Sequence, residues 1–187
     1  MTLVLIACVG TSQPDSSADT QDSQPDTGER DGLRDLDPST LDAAASPCRE
    51  PWLVRVRDVV DGDTAYVEDV DQTWQSEKVR FIGIDTPEVA HGSDPADCWG
   101  DEASTYTTQL LEGELVWLTF DVECEDQYDR TLAFLHRGAD QFVNVDLVAA
   151  GQAFAFPYDP NTTFEARIEA AEVSARGANL GMWADCY

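Results

Sequence analysis

The sequence predicts an α+β fold: a five-stranded Greek-key β-barrel of the OB type with about three packed helices, preceded by a disordered tail. Five short β-branched or aromatic runs follow one another in hairpin and meander order between Trp52 and His136. Helical patterns interrupt and follow those runs instead of alternating with them, which excludes a doubly wound parallel sheet. From Ser12 to Ser46 the chain is rich in Ser, Thr, Asp, Pro and Gln, with almost no large apolar side chain. Such a segment cannot bury enough surface to offset its ordering entropy.

Trp52 to Val60 (WLVRVRDVV) is apolar, β-branched and partly alternating, which makes it the first strand. Asp61-Gly62-Asp63-Thr64 is a turn, and Ala65 to Val70 returns as the second strand. Lys78 to Ile84 (KVRFIGI) is the third strand; it ends at Asp85-Thr86-Pro87, because Pro lacks the N–H that a ladder needs. His91 to Gly100 is a loop. Asp101 to Leu111 is a helix, with acids at its N-terminus and Ala103, Tyr106, Leu110 and Leu111 on one face. Glu114 to Asp121 and Thr131 to His136 are the fourth and fifth strands. Phe142 to Ala150 is a short helix ended by Gly151, and Asn161 to Arg176 a longer one closed by Gly177. Trp99, Trp117, Phe134 and Trp183 read as core, and the stripe from Phe164 to Val173 as helix packing.

The 187 residues leave room for one domain and a tail, and no apolar run is long enough to span a bilayer. The chain carries 37 Asp and Glu against 11 Lys and Arg, a net charge of -26. That excludes a broad basic face for holding nucleic acid, though not a small local cationic site or one built around a metal.

Three segments follow: residues 1–8, a signal or lipobox remnant; residues 9–47, an acidic linker; and residues 48–187, the domain. Leu5-Ile6-Ala7-Cys8 resembles a bacterial lipoprotein box, which makes Cys8 a lipidation site and the linker a tether. Only seven residues precede Cys8, and none is basic; the alternative is a frayed apolar terminus. Setting Cys8 aside leaves Cys48, Cys98, Cys124 and Cys186. There is no C-x-x-C and the only histidines are His91 and His136, so a zinc site is disfavoured and two disulfides are expected in an exported chain. Three pairings are possible; the expected one joins Cys48 to Cys186 and Cys98 to Cys124.

Polar residues gather in a few places. Asp61 and Asp63 flank Gly62, Asp85 and Glu88 end the third strand, Arg80 lies on that strand, and Arg130 opens the fifth. Carboxylates without His or Cys suit a hard cation with oxygen ligands, Ca²⁺ or Mg²⁺. Guanidinium groups beside it suit a phosphodiester, since each can hold two phosphate oxygens. Asp61 is read as a turn former.

In these stretches the sequence resembles the staphylococcal nuclease family. The carriers are VVDGDTAYV (Val59 to Val67), VRFIGIDTPE (Val79 to Glu88), WGDEAS (Trp99 to Ser104), DQYDRTLAFL (Asp126 to Leu135), FVNVDLVAAGQA (Phe142 to Ala153) and the run from Tyr158 to Trp183. The resemblance implies that Asp63 and Asp85 are carboxylate ligands of Ca²⁺, with the backbone carbonyl of Thr86 as a further ligand. It implies that Glu88 orients or deprotonates the attacking water, that Arg80 and Arg130 clamp the phosphate, and that Tyr128 and Tyr158 contact the nucleotide. The chain departs from the family at Asp129, where Gly is common, at Gln127, where a basic residue is common, and at Phe156, where Tyr is common.

The expected function is an exported, Ca²⁺-dependent endonuclease acting on DNA and RNA, with the 5′-oxygen leaving. It is expected to be a monomer, with a membrane contact only through Cys8. The alternative is a catalytically inactive OB-fold binding module on a cell-surface tether. Such modules lose the carboxylates or the arginines, and this chain keeps them.

Overall fold

The computed structural model describes residues 32–71 and 76–187. β1 (Trp52–Asp61) and β2 (Thr64–Asp69) form a hairpin across the two-residue connection Gly62-Asp63, with Asp61 opposite Thr64. β3 (Ser76–Phe81) extends it antiparallel to β2. After β4 (Gly83–Asp85) and α1 (Gly100–Leu111), β5 (Leu115–Thr119) pairs with the other edge of β1. β6 (Thr131–Gly138) pairs antiparallel with β5 and parallel with β3, through Val79–Thr131, Arg80–Leu132 and Phe81–Ala133. That last pairing closes the predicted five-stranded barrel and removes its free edges. β7 (Gln141–Phe142), α2 (Val143–Ala149), β8 (Phe154–Phe156), α3 (Glu165–Gly177) and α4 (Met182–Asp185) complete the chain.

Inward-facing Val54, Val56, Ala65, Val67, Val79, Phe81 and Leu118 are buried in the barrel. β6 is buried on both faces from Thr131 to His136, because α2 packs on its outer side. A smaller cluster of Ala175, Met182 and Trp183, joined by Trp99 and Phe154, holds the C-terminal turn to the start of α1.

The structure corrects four expectations. The third strand is not continuous. It breaks at Ile82-Gly83, where Gly83 has φ +80 and a Cβ would lie 2.6 Å from Ile168 Cδ1. The carbonyl freed at Ile82 accepts from buried Asn144 Nδ2 at 2.9 Å, and the chain leaves the barrel as β4 to pair with β8. The C-terminal helix α4, beyond the expected three, forms where Met182 and Trp183 are buried.

The linker ends earlier than residue 47. Leu33 and Leu41 are buried, Trp117 Nε1 donates to the Leu33 carbonyl at 2.9 Å, Thr119 Oγ1 donates to the Asp42 carbonyl at 3.0 Å, and Arg167 pairs with Asp42. Two leucines in a polar run suffice to strap residues 33–42 onto β5 and α3. Cys8 and the rest of the tail to residue 31 lie outside the described residues.

The disulfides join Cys48 to Cys124 and Cys98 to Cys186, with Cα separations of 5.8 and 6.0 Å, and not the expected pairs. Cys48 is brought to Cys124 because its N–H donates to the Asp121 carbonyl at 2.7 Å, just past the end of β5. Cys186 is brought to Cys98 because the Trp183 cluster packs α4 against Trp99.

Candidate active site

The turn after β1 is held from three sides. Asp63 N donates to Asp61 Oδ1 at 3.2 Å, Phe81 N donates to the Asp63 carbonyl at 2.9 Å, and Thr107 Oγ1 from α1 donates to the Gly62 carbonyl at 2.8 Å. Gly62 is required here by close approach: a Cβ would lie 2.6 Å from Thr86 Cγ2. The Asp63 side chain is therefore fixed in the barrel wall with 5% of its surface exposed.

Thr64 Oγ1 donates to Asp63 Oδ1 at 3.0 Å, and Thr86 N and Oγ1 donate to Oδ2 at 2.9 and 3.1 Å. Arg80 lies opposite Thr64 in the β2–β3 ladder. Its Nη1 sits 3.1 Å from Asp63 Oδ2 and its Nη2 2.8 Å from Asp85 Oδ1, so one guanidinium bridges both carboxylates. Nη1 also donates to the Phe81 and Ile84 carbonyls at 2.8 and 2.9 Å. Those two carbonyls flank the break between β3 and β4, so the break that turns Asp85 toward the site also fixes the arginine.

Burial pushes the Asp63 carboxyl up to about 6; Arg80 and the Thr86 N–H pull the other way, and Asp61 adds to the rise. Burial also raises Asp85, again against Arg80 and with Asp61. Both carboxylates are thus short of positive charge even with Arg80 between them. Among the described residues no three His, Cys, Asp or Glu side chains form a ready metal cage. Two undercompensated carboxylates fit a hard, oxygen-loving cation that completes its shell with water.

Arg130 precedes β6, whose Leu132 lies beside Arg80 in the parallel pairing. Two residues back along a parallel strand is the same face, which puts Arg130 on the same side of the sheet as Arg80. Arg130 Nε donates to Asp126 Oδ2 at 2.7 Å, and Asp126 Oδ1 accepts from the Tyr128 and Arg130 N–H groups at 2.8 and 3.0 Å. Asp126 thus builds the turn and aims the arginine. Both arginines line one cavity of about 440 Å³, together with Tyr128, Phe156 and Tyr158. The three aromatic side chains are well exposed there, at 69, 51 and 63%.

Glu88 is exposed three residues beyond Asp85. Its backbone is clamped: Asp97 N donates to the Glu88 carbonyl at 2.9 Å, and Glu88 N donates to Asp97 Oδ2 at 3.3 Å. A Cβ at Gly100 would lie 2.2 Å from the Glu88 carbonyl, so the start of α1 presses on the same point. The structure brings Asp63, Asp85, Thr86 and Arg80 into direct contact, and Arg80, Arg130, Tyr128 and Tyr158 into one cavity. The Glu88 carboxylate is not among the groups lining it.

Sequence reasoning missed Asp97, Thr107 and Asn161. Asn161 is buried, and its side chain exchanges two hydrogen bonds, at 2.8 and 3.0 Å, with the Glu123 backbone, joining the two loops that carry Tyr158 and Tyr128. All three act through backbone groups of distant residues, which leave no spacing signal.

Residues 78–185 match the family described as staphylococcal nuclease homologue. The chain is similar to the thermonuclease of Staphylococcus intermedius, 39% identical over 128 residues that cover 68% of this chain and 74% of that protein. It is similar to the thermonuclease of Staphylococcus hyicus, 36% identical over 127 residues, with coverage of 68% and 73%. The SPbeta prophage-derived endonuclease YokF of Bacillus subtilis (strain 168) is 30% identical over 126 residues, 66% of this chain and 41% of that protein.

Proposed function

The chain belongs to the staphylococcal nuclease family, and from that premise we propose that it is an exported, Ca²⁺-dependent nuclease that hydrolyses phosphodiester bonds of DNA and RNA. The observation that carries this reading is the Arg80 guanidinium bridging Asp63 and Asp85 at the wall of a cavity that also holds Arg130. Anion-holding groups and cation-holding groups thus share one guanidinium, which is the arrangement a phosphate bound beside a metal ion requires.

Asp63, Asp85 and the Thr86 carbonyl would hold the Ca²⁺, which when bound would neutralise charge on the scissile phosphate. Arg80 and Arg130 donate to the non-bridging oxygens, more strongly as charge builds on phosphorus. Tyr128 and Tyr158 pack against the nucleotide. Glu88 takes a proton from water as the water oxygen bonds to phosphorus. The bond to the 5′-oxygen breaks as that oxygen takes a proton from solvent water, leaving a 3′-phosphate and a 5′-hydroxyl. A cavity of about 440 Å³ admits one nucleotide, not a duplex, so single-stranded or frayed substrate is preferred.

Residues 48–187 form the catalytic unit. Two disulfides suit an oxidising compartment, and Cys8 is a lipid anchor for the exported chain, which acts as a monomer.

The test is digestion of denatured DNA with Ca²⁺ and with chelator, using the chain and its Glu88→Gln variant. Digestion should require Ca²⁺, and the variant should lose about 10²–10⁴-fold in kcat at unchanged thermal stability. Digestion in chelator would remove the metal role; a fully active variant would remove Glu88 as the base. No digestion under either condition would favour a binding module.

A further inference from the structure

The proposed nuclease cavity holds two groups that neither phosphate nor metal chemistry uses. Glu123 and Glu125 both line it, on the wall that leads to Tyr128. Neither carboxylate has a hydrogen-bond or ion-pair partner among the described residues. Arg80 is engaged by Asp63 and Asp85, and Arg130 by Asp126, so these glutamates are not there to neutralise the arginines. Asp126 differs from them, because both its oxygens are taken by the turn it builds.

The backbone beneath the two glutamates is fixed. Asn161 brackets Glu123 through its N–H and carbonyl, and Glu125 bridges to Thr131. Cys124 between them is bonded to Cys48. Glu123 and Glu125 line the cavity while Cys124 between them packs against the barrel core.

A carboxylate accepts hydrogen bonds and donates none. Beside exposed Tyr128, Phe156 and Tyr158, which offer faces for a base to stack on, it selects bases by their N–H groups. The Watson–Crick edge of guanine carries N1–H and N2–H side by side and satisfies one carboxylate with two parallel bonds. Adenine and cytosine offer a single exocyclic amino group. Thymine and uracil offer one N–H between two carbonyl oxygens, which a carboxylate repels.

We propose that Glu123 and Glu125 are specificity-determining residues that make this nuclease cleave beside guanine in preference to adenine and cytosine, and disfavour thymine and uracil. The inference rests on the nuclease reading above. Its test maps cleavage, with Ca²⁺ present, on single-stranded dT tracts that carry one central dG, dA or dC. A parallel calorimetric titration compares binding of 5′-dGMP and 5′-dTMP. Cleavage at the dG step should exceed that at dT steps by about tenfold or more, and dGMP should bind more tightly by a similar factor. The double variant Glu123→Gln, Glu125→Gln offers donors as well as acceptors and should lose most of that ratio, while its Asn161 and Thr131 backbone contacts remain. Equal cleavage at dG and dT, equal binding of the two nucleotides, or an unchanged ratio in the double variant would each overturn the inference. Absence of cleavage of every tract by the unmodified chain would instead overturn the nuclease reading, and the inference with it.

Discussion

His136 is fully buried in β6 and stacks on Phe142 with ring centroids 4.7 Å apart. Thr119 Oγ1 lies 2.9 Å from its Nε2 and gives its only proton to the Asp42 carbonyl. Nε2 must therefore carry the ring proton and donate to Thr119, which leaves Nδ1 bare and without a partner. Protonating Nδ1 would bury a charged N–H with no acceptor, and burial accordingly pushes the pKa down to about 4. An unfolded histidine binds a proton near 6.5. The neutral ring thus favours the fold above that value, and the contribution is lost as pH falls toward 4, on the order of 3 kcal/mol in all. Asp63 pulls the other way in metal-free protein, because its raised carboxyl binds a proton more readily folded than unfolded. The effect must therefore be read as a difference between proteins. In chelator, the melting temperature of the unmodified chain minus that of His136→Gln should fall steadily between pH 7 and 4.5. A difference that stays flat across that range would show that the ring is not held neutral.

Each disulfide ties an otherwise open segment that serves the site. Cys124 lies between Glu123 and Glu125 on the cavity wall, in the loop that ends at Arg130. Cys98 follows Asp97, whose N–H and carboxylate clamp Glu88. Cross-links of this loop length contribute about 2–4 kcal/mol each. Their loss should also separate kinetically. Replacing Cys48 and Cys124 by Ser should raise KM, because the substrate wall loosens; replacing Cys98 and Cys186 by Ser should lower kcat, because Glu88 loses its clamp. Steady-state kinetics on the two double variants checks this, and wild-type kcat and KM in either pair would show that the cross-link only stabilises. The barrel strands were legible because their β-branched runs are bounded by Gly and Pro, and Asp63, Asp85 and Arg130 because they lie where those runs end or open, with Arg80 inside one of them. The disulfide pairing was not, since it depends on α4 packing against Trp99 and on Cys48 meeting the end of β5. Residues 32–47 were misread because composition averages over a window, whereas Leu33 and Leu41 anchor one residue at a time.

From Pro51 onward the chain has 27 acids against eight bases, and several of its arginines outside the cavity are paired: Arg57 with Asp58 and Glu68, Arg167 with Asp42. Arg80 and Arg130 are the cations that line the cavity, while a strand longer than the cavity runs over acidic surface. Two opposing salt effects follow. Two phosphate contacts release about two counterions, so salt weakens local capture with a log–log slope of about −1.4 on single strands. Repulsion of the outlying phosphates is a long-range effect that acts over about 30 Å at 0.01 M salt and only about 8 Å at 0.15 M. With the charge so one-sided, relief of repulsion should dominate first on long substrate. At fixed Ca²⁺, kcat/KM for long denatured DNA should rise with added NaCl, pass through a maximum near 0.1–0.2 M and then decline, these limits being about where screening is complete. A dinucleotide, whose single phosphodiester meets the two arginines, lacks the outlying phosphates and should show only the decline. The comparison of the two substrates decides the matter: a monotonic fall for long DNA from the lowest salt would mean that the acidic surface does not meet the strand, and that the polymer leaves the cavity along a path the 27 acids do not line.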